Sequence, residues 1–311
     1  MKPDDSSLAP QDLQLIEARA HELLDEAGAW DRFPIPIDDI LAAANVSVAS
    51  HSLFDPAAII AYLKGKVAAT ADTMKSAISK VLGLYDAGEN LIHIDETVIQ
   101  SKQNFLKLHE TGHHHIPTHK KLFRFFQDCE KTLAPEIADQ FEREANNFAR
   151  FALFKGDTYR IHPADCVFEI RTPIKLAKKF GASVYASVRE FARTNPRACI
   201  VYVLEPAQFV PGDGVRAEVR RVEASPSFRQ MFGVPTDTAI TSHHHLGPIL
   251  PIGRKMTRPT TLAITDRNGA AHDCIAEAFD TTYNILILLY PVKALTTSVL
   301  IRADLSGNPG S

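Results

Sequence analysis

The amino-acid sequence predicts an α+β protein, on three observations. Helical periodicity dominates the first part of the chain, with only short strand-like runs between the helices. Residues 198–311 change character and are β-rich, with apolar runs separated by Gly, Pro and Asp. Between these parts lies a segment with the pattern of two short helices about a glycine turn. A length of 311 residues fits two or three packed units. The pattern divides them at 1–156, 157–197 and 198–311.

Hydrophobic residues make up 45 % of the chain and charged residues 23 %, which excludes extensive disorder. The formal net charge of −3 gives the whole molecule no electrostatic bias toward nucleic acid or an anionic membrane. Cys129, Cys166, Cys199 and Cys274 are scattered and form no CxxC pair, so they read as reduced thiols and not as a disulfide framework. The first ten residues, MKPDDSSLAP, lack the basic-then-apolar layout of a secretory signal. The longest strongly apolar run, Ile285 to Tyr290, is far too short to span a bilayer. A cytoplasmic location is the expectation.

Taken in order, Leu13, Ile16, Ala20, Leu23 and Leu24 predict a helix over 11–28, closed by Gly28. Pro34 and Pro36 then break the chain, and Asp38 or Asp39 is expected to cap a short helix. Val46 to Val48 is a short apolar run. Two strand-like segments follow from Ala57, the second ending in "GLYD". The turn "AGEN" (87–90) and the strand "LIHID" (91–95) complete a hairpin. Helices are predicted from about Glu96 to His115 and from Pro135 to Phe154. The second has the apolar set Ile137, Phe141, Ala145, Phe148 and Ala152. In the 172–194 hairpin, Gly181 is the turn. Beyond it, Asn268-Gly269 marks a hairpin between two β runs. The tail "SGNPGS" is expected to fray.

Residues 109–113 read His-Glu-Thr-Gly-His. On a helix, positions i and i+4 lie on one face a turn apart, so His109 and His113 can bind one Zn²⁺. Glu110 lies beside the first ligand, where it can take a proton from water that the metal makes acidic. The helix is apolar around the motif (Phe105, Leu106, Leu108), as a buried site requires. Gly112 costs such a helix about 1 kcal/mol relative to Ala, which implies a close backbone approach. The helix at 135–154 offers a third ligand, Glu142 or Glu144, and periodicity does not choose between them. Glu144 lies nearer the apolar stripe. Glu142 lies to one side with Asn146, which can hydrogen-bond a ligating histidine. Two histidines and one carboxylate leave the open position that catalysis needs.

Three segments in this order, HETGH (109–113), EREANNFA (142–149) and LAKKFGASVYASVREF (176–191), resemble the ImmA/IrrE family of metallopeptidases. The resemblance covers roughly residues 11–195. It implies a minimal, gluzincin-like zincin domain, with Glu142 as third ligand and Glu110 as general base. It also implies a helix-turn-helix-like segment and a GAF-like C-terminal sensor domain, although 198–311 carries no specific motif for the last. The implied activity is zinc-dependent cleavage of a DNA-binding repressor of the XRE type, in a stress or mobile-element response. One departure is the stretch "RFALFKGD" (150–157), where the family continues into a Leu-Leu-Met-Pro-like end. It bears on the pocket wall.

Other features admit milder readings. His114, His115 and His119 are taken to line the cleft, not to hold a second ion. The "LIHID" strand could accept an extended substrate as an added strand, or be an ordinary sheet edge. Lys175, Lys178, Lys179, Arg189 and Arg193 fit a solvated or protein-docking face better than a DNA-reading one. His243 to His245 read as a loop. Tyr159, Arg160 and His162 are candidates for oxyanion stabilisation, with nothing to select among them. Mn²⁺ or Fe²⁺ could replace Zn²⁺ on such a donor set. The competing class is a regulator of DNA or protein that retains a structural metal site without peptidase activity.

Overall fold

The computed structural model describes residues 6–49, 83–86, 88–94, 97–120, 135–162, 166–211 and 214–293. Most of the strand-like run expected over 57–82, the basic aromatic stretch beyond Lys120, Cys129 and the C-terminal tail lie outside them. The chain is an α+β protein that divides into two compact units. One comprises residues 1–166 and 174–184, the other 167–173 and 185–311, so the division runs through the helical pair.

In the first unit, α1 (Pro10–Glu26) buries Ile16, Ala20, Leu23 and Leu24 and packs on α4 (Pro135–Phe154). Gly28 follows with φ +55°, a conformation open to glycine, and turns the chain away. The next helix, α2 (Ile37–Ala43), corrects the expected cap. Pro36 occupies the N-cap, and Asp38 and Asp39 sit inside the first turn, where they meet the positive end of the helix dipole. Strands β1 (Ser47–Val48), β2 (Gly83–Asp86) and β3 (Leu91–Ile94) form a sheet of order β1-β3-β2. The β2–β3 pair is the antiparallel hairpin read from the turn residues, while β1 adds to β3 in parallel.

Helix α3 (Gln100–His115) packs against α4 and against this sheet. It begins a turn later than the periodicity suggested. In α4 the predicted apolar stripe is buried from Phe141 through Ala152, but Ile137 is 42 % exposed. A short helix, α5 (Asp157–Ile161), follows Lys155 and Gly156, both at positive φ. The Lys155 side chain is fully buried and its ammonium donates to the carbonyls of Ala29, Trp30 and Arg32. It also lies 3.9 Å from the Phe33 ring centroid.

Helices α6 (Arg171–Phe180) and α7 (Val184–Thr194) flank Gly181, which has φ +73°. In the second unit, α7 directs Arg189 and Arg193 onto Glu223, each at 2.8 Å. These two guanidiniums are therefore committed to a buried ion pair and are not part of a solvated face. The second unit's sheet has strands β4 (Ile200–Leu204), β5 (Gln208–Val210), β6 (Gly214–Ala224), β7 (Ala239–Thr241), β8 (Thr260–Thr265), β9 (Ala271–Asp280) and β10 (Ile285–Pro291). They run in the order β5-β6-β4-β10-β9-β8, with β7 on β6, and every pairing is antiparallel. The central strands β4 and β10 are buried on both faces, which explains their unbroken apolar runs. One face, with Ile200, Tyr202, Ile285 and Ile287, joins Phe228 of α8 (Pro226–Phe232) and Leu246 in a single core. The Asn268-Gly269 turn connects β8 and β9 as expected. No helix among the described residues is long and apolar enough to cross a membrane.

Candidate metal centre

The site forms where α3 lies against α4. From Leu108 to His114 every residue of α3 is buried. Gly112 permits this approach: a Cβ there would meet the Phe148 side chain of α4 at 3.1 Å. His109 and His113, one turn apart, present their Nε2 atoms 3.2 Å from each other. From α4, the Glu142 carboxylate lies 3.3 Å from His109 Nε2 and 3.5 Å from His113 Nε2. Ligands at 2.0–2.1 Å from a tetrahedral ion stand about 3.3–3.4 Å apart, so these spacings match three corners of one coordination shell. Two imidazoles and a carboxylate are also the donor chemistry that a divalent ion such as Zn²⁺ takes. His109, His113 and Glu142 can hold a metal ion, and among the described residues they are the one group of three donors so placed. The Glu142 side chain is 46 % exposed, which leaves the centre open to solvent on that side.

The choice between the two carboxylates is settled geometrically. Glu142 faces the histidine pair, whereas Glu144 Oε2 lies 2.7 Å from His119 Nε2. Asn146, one turn beyond Glu142, hydrogen-bonds His109. Glu110 is buried, and the Tyr85 backbone N–H on β2 donates to its carboxylate.

Electrostatics at the site follow from burial and close pairing. Burial pushes the Glu110 carboxyl up to about 7, against the opposing pull of His109. Burial lowers the His113 imidazole to about 4 in spite of Glu142, so this ring is neutral at physiological pH. For His109 burial acts the same way, but the hydrogen bond it donates to Glu142 and the charge of Glu110 outweigh it and raise the pKa. Burial also opposes ionisation of Glu142, yet its two histidine partners hold it well below the usual carboxylate range.

Sequence reasoning missed one arrangement. His119, expected to line the cleft, is fully buried, with Nδ1 3.1 Å from His113 Nδ1 and its ring stacked on Phe141 at 3.9 Å. The available signal was Glu144 near an apolar stripe, since a buried carboxylate requires a partner. His114 makes a further contact, 2.5 Å from the Tyr85 hydroxyl, and its Nε2 is 3.3 Å from Lys120 Nζ. The oxyanion candidates have structural engagements: Tyr159 packs on Phe154 and Phe180, Arg160 pairs with Asp157, and His162 packs edge-on against Phe33 and Phe180. His243 to His245 form a turn after β7, where His244 is 3.4 Å from Asp237.

No protein-family model matches this chain, and no curated protein matches its sequence. Among solved structures it is similar to one described as a Mycobacterium tuberculosis transcriptional regulator. That similarity has a TM-score of 0.49 and 10 % identity, over 88 % of this chain and 86 % of the other. A likeness this distant does not bear on function.

Proposed function

We propose that this chain is a metal-dependent endopeptidase of the ImmA/IrrE type, and that its substrate is a DNA-binding repressor of the XRE type. The observation that carries the peptidase reading is the spacing of His109, His113 and Glu142 with Glu110 buried beside them. A divalent ion held there would supply Lewis acidity, polarising a peptide carbonyl and making water a nucleophile near neutral pH. Glu110 accepts the proton of the attacking water and returns it to the leaving amine. In the metal-free chain burial raises this carboxyl, the direction that a general base working near neutral pH requires. Asn146 holds His109 in orientation, and Glu142 would balance part of a bound ion's charge. The first unit would then be a minimal zincin. The second, with its antiparallel sheet, would be a GAF-like sensor whose ligand tunes cleavage. Zn²⁺ is the first choice of metal, with Mn²⁺ and Fe²⁺ chemically admissible.

The decisive variant is Glu110→Gln. The Zn²⁺-loaded chain should cut a repressor of this type at a single peptide bond. The variant should bind the same amount of metal and cut on the order of 10²–10⁴-fold more slowly. Retention of cellular function by Glu110→Gln would reject the peptidase and leave a regulator with a structural metal site.

A further inference from the structure

We propose that Glu144 and His119 are positioning residues for the metal centre, selecting the tautomer of His113 that aims an Nε2 lone pair at the point shared with His109 and Glu142. The inference rests on the metal-binding reading of that cluster, and deepens it.

The chain of reasoning follows proton by proton. Glu144 Oε2 lies 2.7 Å from His119 Nε2. An ionised carboxylate can only accept, so the proton sits on His119 Nε2. A neutral imidazole carries one N–H, which leaves His119 Nδ1 as an acceptor. That atom faces His113 Nδ1 at 3.1 Å, a contact that needs one proton between the two nitrogens. A neutral His113 has one proton to place, and the 3.1 Å contact with His119 claims it for Nδ1 ahead of the longer 3.5 Å approach of Nε2 to Glu142. His113 Nε2 is then left with its lone pair, and this is the atom 3.2 Å from His109 Nε2 and 3.5 Å from Glu142. The opposite tautomer of His113 would turn an N–H toward the other donors and block coordination.

The surroundings hold the relay in one geometry. His119 is fully buried, so water does not compete for either nitrogen. Its ring lies nearly parallel to that of Phe141, at 21°. Gln140 Nε2 donates to the second Glu144 oxygen at 2.8 Å, which fixes the carboxylate from its other side. Gln140, Phe141 and Glu144 all belong to α4, the helix that supplies Glu142. One helix thus contributes a ligand directly and orients a second ligand through His119. Chain direction makes this workable: Ile116 leaves α3 in an extended conformation, and the helical residues 117–120 return His119 to the back of His113.

The test uses the full chain as wild type, His119→Phe and Glu144→Gln. Phenylalanine keeps the ring stacked on Phe141 and removes both nitrogens. Glutamine keeps an acceptor for His119 and removes the charge. Two quantities are measured: imidazole tautomers, by long-range ¹H–¹⁵N correlation on chelator-treated protein, and Zn²⁺ affinity, by competition with a chromophoric chelator. The wild type should carry its protons on His119 Nε2 and His113 Nδ1. In His119→Phe, His113 should become a mixture of tautomers, and Zn²⁺ affinity should fall about 10–100-fold. Glu144→Gln should fall between the two. A wild type that takes up Zn²⁺ no more tightly than His119→Phe overturns the relay. An unchanged His113 tautomer in that variant also overturns it. A wild type that takes up no Zn²⁺ rejects the metal centre itself, and the tautomer spectra then report separately whether the relay exists.

Discussion

Glu110 is a buried carboxyl whose protonated form the fold prefers. Burial places its pKa at about 7 in the folded chain against 4.5 for the ordinary side chain. A carboxyl raised in this way favours folding below pH 4.5, and that contribution is lost as pH rises through 7. In the metal-free protein, Glu110→Gln should therefore raise stability at pH 8, by on the order of 3 kcal/mol, and leave it nearly unchanged at pH 4. Thermal melts at the two pH values check this; equal shifts would mean that the carboxyl is better solvated than its burial implies. The metal ligands give a second prediction. Zn²⁺ in hundredfold excess over its dissociation constant should stabilise the wild type by about 2.7 kcal/mol. The same addition should leave the melting temperature of His109→Ala almost unmoved. Among these residues, His109, Glu110 and His113 were legible from spacing alone. The His119–Glu144 contact was not, because no spacing rule connects residues 25 positions apart on separate elements.

At the scale of elements, the α3–α4 contact rests on Gly112 beneath Phe148. Ala at 112 gains about 1 kcal/mol of helix propensity but presses a Cβ into a fully buried ring. Gly112→Ala should thus change stability little while displacing α4 and weakening metal affinity. Gly112→Leu should overpack the interface and cost about 1–3 kcal/mol or more in denaturant melts. Lys155 ties the end of α4 to the segment after α1 through the carbonyls of Ala29, Trp30 and Arg32. Lys155→Met fills similar volume but removes the ammonium's donation to them, leaving the Ala29 carbonyl with the Arg32 N–H alone, and should destabilise by roughly 1–3 kcal/mol. A melt indistinguishable from wild type would show that water replaces the ammonium there.

For the whole molecule, Glu223 is the charge on which the second unit's acid stability depends. Burial would raise its pKa, but Arg193 and Arg189 outweigh it and hold the carboxyl down to about 2. A carboxyl depressed in this way stabilises the fold above pH 4.5, and that stabilisation is lost as pH falls from 4.5 toward 2. Wild type should therefore show an acid transition in that window, followed by circular dichroism. Glu223→Gln should lose about 3–5 kcal/mol at pH 7, because Arg189 loses its carboxylate partner in the interior and Arg193 keeps only the longer contact to Glu190. Arginines that resembled a basic surface in the sequence are in this way part of the unit's interior.

By itself the sequence determined what depends on neighbours within a few residues. The apolar spacing of α1 and α4, the glycine turns at Gly28 and Gly181, the Asn268-Gly269 hairpin and the His109–Glu110–His113 face all follow from local backbone geometry. Tertiary structure alone decided partnerships between distant residues. It set β4 beside β10, turned Glu142 and not Glu144 to the histidine pair, buried Arg189 and Arg193 on Glu223, and returned His119 to His113. The reason is physical. Periodicity says which face of an element is buried, whereas the partner of a buried polar group depends on which other element covers that face.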